Sequence, residues 1–533
     1  MSTLALPEPF KQSYESAESY PLNLVYQTSY FNALHAYQTR LDDAEPKLFT
    51  KKDAEVFVPF RDVLSTGQGF EKQNILDDEA LKAWLGDKST TRSGALATKK
   101  DRKCRFIFIS SGHSRAPLKI TRRMLVRILS YHQVMPSYLD FISVFGSHRL
   151  SRELRFSGFR EQTLLTHPPD GLAVRNLGRT GRQFQLCYNL KAVACLSNAS
   201  TTIKNKEWSI RQAAFHHQFD VVEGTTLWII TKGNLDMKER IQSLTSKDGR
   251  QEDRSFGTLE ECFKSSLAVH LLYCHWSMEE WRWYIQWLED VIDLEGPRGV
   301  REAQHNYTSR DLQTVQNYED KTNEAIMILE ANADVLKALC KFYETLKENQ
   351  DFPPRRTCYE NINIFSTQVD DIIYDSKMQV SRAKLLVRIT ADRKNLVLQH
   401  LQSQTTDKME ALTRSMHSIG IMSQKEAIAM RIITVVTLIY LPATFVSTFF
   451  SADIVKYQDE KDEVIFKKGP ASDPPKPFGG SFSKVALERW LQVALPLTAL
   501  TLVGALFFFK RADRKRKRES NLILWTDSRD SLP

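Results

Sequence analysis

Six residues towards the C-terminal end of the chain have the types and the spacing to handle a cation. Thr437, Leu441, Thr444, Thr448 and Ser451 step by 4, 3, 4 and 3, and Asp453 follows two residues later. On an α-helix the first five share one face, with Thr434 a turn earlier. If several copies turned that face towards a common axis, hydroxyls would replace part of a hydrated cation's outer water. Leu441 would form a narrow apolar collar, and Asp453, repeated in each copy, would form a ring of carboxylates that attracts cations. Pro442 withdraws one helical N–H donor and frees a carbonyl. Two other readings share these residues. Threonine in a membrane helix often bonds its own backbone four residues back, and small polar residues help such helices pack.

Chemistry of other kinds finds little support. The sequence has no Walker loop, no G-x-S-x-G, no H-E-x-x-H and no EF-hand pattern. "FHHQFD" puts His216, His217 and Asp220 close together, but adjacent side chains diverge, and a core or surface histidine pair is the better reading. The seven cysteines are scattered without a C-x-x-C pair, which fits reduced thiols rather than a disulfide framework or zinc knuckle. Nothing in the sequence argues for an enzyme.

The elements that must position the stripe are plain. Ile432–Phe450 and Leu491–Phe509 are each nineteen residues without a charge, about the length that spans a hydrocarbon core. The mean hydropathy of −0.37 for the whole chain conceals both. Net charge is +9, of which the tail Lys510–Glu519, with seven basic and two acidic residues, carries +5. That argues against a nucleic-acid surface covering the whole protein and leaves a local patch open. The basic tail beside the second span predicts that this end lies in the cytosol. Trp490 stands at a boundary, as an interfacial anchor would. The N-terminus has no apolar signal core, and its acids Glu8, Glu15 and Glu18 oppose a transit peptide, so a cytosolic start is expected.

Along the chain we read an irregular N-terminal region over 1–100 and an α/β cytosolic domain over 101–297. Stalk helices follow over 298–431, then a first transmembrane helix over 432–450 and an extramembrane loop over 451–489. A second transmembrane helix over 490–509 precedes the basic cytosolic tail, 510–533. Strand-like runs are "CRFIFIS", "FQLCYNLKAVA" and "TTLWIITK". "ITRRMLVRILSYH" and "FKSSLAVHLLYCHW" have helical periodicity. A helix capped by Ser277 is expected to bury Trp281, Ile285, Leu288 and Ile292 and to stop at Gly296-Pro297. Trp283, Tyr284 and Trp287 add aromatics that fit a packed face better than a ligand cage. Between Pro354 and Pro442 lie 87 residues with no proline and one glycine, Gly420, room for one very long helix. Met409, Leu412, Met416 and Ile419 give it the seam of a coiled coil, and it enters the first span with no loop between them.

With that layout the chain resembles the CorA-type magnesium transporters, most nearly a fungal CorA-like branch. The resemblance rests on about Lys425–Ile454, on "LPATF" (Leu441–Phe445) and on the basic C-terminus. It implies a funnel-shaped α/β domain on stalk helices, five copies around a pore lined by the first span, and opening favoured by low cytosolic magnesium. Aligned on Pro442-Ala443-Thr444-Phe445, the family's Gly-Met-Asn falls on Ser451, Ala452 and Asp453, and all three differ. The resemblance also makes Thr444 a pore hydroxyl, Leu441 a pore-facing apolar residue and Met430 the inner apolar constriction.

The expectation is therefore an α/β domain followed by stalk helices and two C-terminal spans. Met430, Thr437, Leu441, Thr444, Thr448 and Ser451 would line a pore in a homo-oligomer, with Ser451, Ala452 and Asp453 at its mouth and Asp453 on the metal. The cargo is a divalent cation, Mg²⁺ or a transition metal such as Zn²⁺. No cofactor and no nucleic-acid partner are implied. Both termini would face the cytosol across a plasma or vacuolar membrane. A membrane-anchored sensor or scaffold that no longer conducts is the alternative. This orientation makes the sequons at Asn198 and Asn306 cytosolic. Both should stay unmodified when the protein is expressed in a glycosylating cell, and a glycosidase-sensitive mass shift at either would reverse the topology.

Overall fold

Alternation along Cys104–Ser110 divides its side chains between two cores. Phe106 and Phe108 enter one buried cluster, and Ile107 and Ile109 enter the other, as a strand with period two requires. The computed structural model describes residues 6–64, 69–87, 99–113, 116–147, 155–196, 207–232, 236–246, 249–295, 308–353, 355–451 and 484–527. These fall into two compact units, 1–401 and 402–533.

The first unit is built on a seven-stranded sheet. Its strands are β1 (Val58–Val63), β2 (Phe70–Ile75), β3 (Cys104–Ser110), β4 (Phe159–Leu164), β5 (Gln183–Cys195), β6 (Trp208–Asp220) and β7 (Thr226–Lys232). The spatial order is β2-β1-β3-β7-β6-β5-β4. Only β3 and β7 pair in parallel, in register from Cys104–Thr226 to Ser110–Lys232; all other neighbours are antiparallel. One face is covered by α1 (Glu8–Glu15), α2 (Phe31–Leu48), α3 (Asp78–Leu85), α4 (Arg122–His132) and α5 (Tyr138–Ile142), which share a core with the sheet. The other face packs against α7 (Leu259–Met278), α9 (Ser309–Glu348) and the first part of α10 (Arg355–Ser451), with short α6 (Met237–Leu244) at the margin.

The irregular region expected over 1–100 is corrected by these elements. Three helices and two strands fall inside it, and β1 and β2 form one edge of the sheet. The strand β2, "FEKQNI", buries only Ile75 fully, so its sequence lacks the apolar alternation that marks a strand. It is held by pairing with β1 rather than by its own pattern. Its neighbour β1 is fastened to β3 by a buried bidentate pair, with Arg105 Nε and Nη2 donating to Asp62 at 2.9 and 2.6 Å. Removing one partner of such a pair costs about 3–5 kcal/mol.

Ser277 is not a helix cap. It lies in α7, where its hydroxyl donates to the Cys274 carbonyl at 2.7 Å and its own carbonyl accepts from Trp281 Nε1 at 2.8 Å. The break comes three residues later, where Glu280 takes a φ of 65°, and α8 (Trp281–Glu295) begins just after it. The stripe Trp281, Ile285, Leu288 and Ile292 is buried, as expected, and Tyr284 and Trp287 join the same cluster with α9 and α10. His216 and His217 are core residues. They point to opposite faces of β6: His216 lies beside Tyr138 (ring centroids 5.3 Å) and His217 stacks on Trp228 (4.1 Å). No metal-competent cluster of histidine, cysteine and acid occurs among the described residues.

A side chain completes the sheet where a strand stops. β4 pairs with β5 no further than Tyr188, so the edge of β5 beyond it needs another partner. Asn332 of α9 supplies it, accepting from Lys191 N at 3.2 Å and donating to Lys191 O at 2.6 Å. This locks α9 onto the sheet. The Lys191 side chain is itself fully buried. Its ammonium donates to the Phe156 carbonyl at 2.7 Å and to Ser157 Oγ. Burial pushes its pKa down to about 8 from the ordinary 10.5. Between those two values the unfolded chain holds a proton that the folded chain has released, so this group adds stability as pH rises through that window. Lys191→Met should remove that increment. The difference in thermal midpoint between wild type and variant, measured in detergent, should shift in favour of wild type from pH 8 to pH 10; a constant difference would mean that Lys191 does not titrate there.

Candidate functional site

Hydroxyls on an apolar helix need partners, and these find them on their own backbone. In the last part of α10, Thr434 Oγ1 donates to the Met430 carbonyl at 2.7 Å and Thr437 Oγ1 to Ile433 O at 3.0 Å. Thr444 Oγ1 donates to Tyr440 O at 2.9 Å, and Thr448 Oγ1 to Thr444 O at 2.6 Å. Each hydroxyl proton is thereby taken up, while the oxygen lone pairs stay available on the outer surface of the helix. The back-bonding expected of such threonines is present, and it leaves a row of acceptors.

The second unit contains this end of α10 and α11 (Lys484–Asp527). Both helices are long and apolar enough to cross a membrane. Two contacts fix their direction. Trp490 Nε1 donates to Ser447 Oγ at 3.0 Å, and Arg431 sits 5.5 Å from the Phe509 ring centroid. The end of one apolar run thus meets the start of the other, as in an antiparallel hairpin. Val446 and Ala494 are buried to 3% exposure, and Pro442 is buried as well. Thr444 and Thr448 lie roughly 160° around the helix from Val446 at 3.6 residues per turn. The hairpin therefore buries the proline–valine side and leaves the threonines exposed at its margin.

Of the expected pore residues, Met430, Thr437, Leu441, Thr444, Thr448 and Ser451 are all exposed, Leu441 to 71%. Leu441, Thr444 and Thr448 come together with Pro442, Phe445, Leu497 and Thr501 around an open groove of about 490 Å³. Met430 and Thr437 lie further back on the same helix and take no part in that groove. Ala452 and Asp453 are outside the described residues, as are Asn198 and Asn306. Sequence reasoning missed Ser447, whose value comes from its contact with Trp490, and Leu497 and Thr501 on the second helix. Spacing within one helix carries no signal for a partner that arrives from another. Trp490 was legible as an anchor, but not its hydrogen bond.

The model of one protein family, the CorA-like transporters, matches residues 12–296. The chain belongs to the CorA-like transporters. CorA-like proteins are homo-oligomeric integral membrane transporters or channels, not enzymes, and move divalent cations. The two apolar helices of this CorA-like chain fit that membership. No curated protein sequence matches it. Among solved structures, similarity extends to the full-length CmaX protein at 10% identity, covering 87% of this chain and 99% of that one, with a TM-score of 0.33. The CorA magnesium transporter from Methanocaldococcus jannaschii is 11% identical over 86% of this chain and 98% of its own, with a TM-score of 0.30. The ZntB cytoplasmic domain from Vibrio parahaemolyticus is 8% identical over 64% of this chain and 98% of its own, at 0.31. Family membership rests on the sequence match alone.

The packed face and the hydroxyl face should respond differently to added bulk. Val446→Trp overfills the buried side and should lower stability by about 1–3 kcal/mol. Tyr440→Trp, on an exposed position, should leave the thermal midpoint in detergent unchanged. Equal effects of the two would mean that the hairpin does not pack through Val446.

Proposed function

We propose that this CorA-like protein is a channel-type transporter for Mg²⁺, formed by five copies whose first apolar helices turn Thr437, Leu441, Thr444, Thr448 and Ser451 towards a shared aqueous path. The observation that carries the reading is the direction of the threonine hydroxyl bonds. Protons bonded to helix carbonyls leave only lone pairs facing outward. A hydrated cation presents water hydrogens outward and needs acceptors of that kind. An anion, whose shell presents oxygens, does not.

The ligand types favour Mg²⁺ over Zn²⁺. Mg²⁺ dehydrates reluctantly and keeps several waters, whereas zinc sites are built mainly on cysteine sulfur and histidine nitrogen, with carboxylate oxygen as an additional ligand. From Met430 to Asp453 there is no histidine and no cysteine. In this reading Met430 and Leu441 form apolar narrowings, and Ser451, Ala452 and Asp453 form the mouth. Asp453 attracts the ion there, in place of the amide carried by the family's Gly-Met-Asn. Both termini lie in the cytosol, and the membrane is the plasma or vacuolar one. The divalent ion is cargo, and no resident cofactor is needed.

The replaced triplet Ser451-Ala452-Asp453 also favours a second reading, an anchored sensor or scaffold that has lost conduction. Purified protein in liposomes loaded with a magnesium-sensitive dye separates the two. Conduction predicts dye signal on adding Mg²⁺, a fall of about tenfold in Asp453→Ala through lost focusing of cations, and labelling of Thr444→Cys and Thr448→Cys by a water-soluble maleimide. A stable oligomer without flux of any divalent ion would leave the scaffold. Normal flux in Asp453→Ala would remove Asp453 from the mechanism while keeping the pore.

A further inference from the structure

At one end of the sheet, five buried polar atoms lack a hydrogen-bond partner among the described residues, and all belong to residues lining one cavity. They are Arg102 Nε, Arg105 Nη1, Arg179 Nη2, His132 Nε2 and Gln218 Oε1. The cavity lies between the start of β3, the last residue of α4, the end of β6 and the start of β7. Arg105 and His132 are each only 5% exposed. Buried polar groups in folded proteins are nearly always paired, so five such atoms around one space call for an occupant.

The occupant must accept. Asp62 takes both its bonds from Arg105. Asp101 is engaged by Arg179 Nε at 2.6 Å and by the Tyr131 hydroxyl at 3.4 Å, and its approach to Arg105 Nη1, at 3.9 Å, is too long for a hydrogen bond. Glu71 meets Arg102 Nη2 at 3.2 Å. Asp220, which also lines the cavity, is saturated by the amides of Thr180, Val222 and Glu223 and by the Thr180 hydroxyl. Each of these carboxylates already has a partner, and three guanidinium N–H groups remain without a hydrogen bond. Burial and the guanidiniums of Arg179 and Arg105 hold His132 neutral, and its Nε2 can carry a proton to donate. Against these donors stands a single orphaned acceptor, Gln218 Oε1, whose amide nitrogen donates to Gln183 Oε1 at 2.6 Å. Waters would also have to donate, whereas most of the orphaned atoms in the walls are themselves donors. An anion only accepts. The space, about 30 Å³, exceeds the 10–15 Å³ or so that one water needs on the same measure.

We propose that this cavity is a binding site for a compact oxyanion of the phosphate or sulfate class, held by the unpaired N–H groups of Arg102, Arg105 and Arg179 together with His132. The site belongs to the α/β unit and does not depend on how the ion crosses the membrane. Arginine is suited to it because its planar fork can hold a carboxylate on one edge and an oxyanion on the other.

The test uses full-length protein in detergent and a chloride-free buffer, with radiolabelled inorganic phosphate in equilibrium dialysis and the thermal midpoint read in parallel. Wild type should bind one phosphate per chain saturably, with sulfate competing, and should be stabilised by either. Arg102→Gln, at a partly exposed position, should weaken binding by about tenfold, the worth of one charged hydrogen bond. In Gln218→Glu a tethered carboxylate would take the anion's place, so binding should vanish and the midpoint should no longer respond to phosphate. Competition by ATP would identify a phosphate ester as the source of the group, and its absence would identify the free inorganic anion. The proposal falls if neither phosphate nor sulfate binds saturably, or if both variants bind as wild type does.

Discussion

A polar atom withdrawn from water must find a partner, and this molecule is organised around meeting that demand in three surroundings. In the apolar part of α10 the partner is the helix itself, because each threonine proton goes to a carbonyl one turn back. In the sheet it is a side chain from another element, as where Asn332 takes over the edge of β5 that β4 leaves open. In the arginine-lined cavity the described residues do not supply it. The first arrangement makes a surface of acceptors, the second joins a helix to a sheet, and the third points to a ligand.

The same demand explains how a sheet with so many polar residues stays buried. His217, His270, Tyr188 and Thr226 form a continuous internal chain: His270 Nδ1 meets the Tyr188 hydroxyl at 2.7 Å, His270 Nε2 meets His217 Nδ1 at 3.0 Å, and His217 Nε2 meets Thr226 Oγ1 at 3.1 Å. Burial holds His270 at a pKa of about 3 and His217 well below the usual value, so both are neutral and can act as donor at one nitrogen and acceptor at the other. Two residues that looked like candidate metal ligands in "FHHQFD" thus have different roles. One belongs to this chain, and the other, His216, packs in the opposite core beside Tyr138.

Family membership and the candidate pathway come from different stretches of the chain. The family match ends at residue 296, well before the hydroxyl stripe begins, and the stripe was found from spacing alone. The stripe owes its availability to packing elsewhere on the same helix. Pro442 and Val446 are buried, while Thr444 and Thr448 stay exposed at the edge of the groove they share with Leu497 and Thr501.

Local pattern was enough to reveal whatever depends on neighbours a few residues apart. The two apolar runs, the long stretch without proline, the buried stripe from Trp281 to Ile292 and the shared face of Thr437 to Ser451 were all legible, since helix and strand periods are written in consecutive residues. What depends on distant pairing was not. β2 carries too few apolar residues to announce a strand, and it exists because β1 is held to β3 by Asp62 and Arg105, 43 residues apart. Asn332 and Lys191 meet across 141 residues, and no spacing rule reaches that far. The break at Glu280 and the choice of Val446 as the packed side were also decided by tertiary contacts. So was the gathering of Arg102, Arg105 and Arg179 around one cavity, because each depends on which surfaces the folded chain brings together.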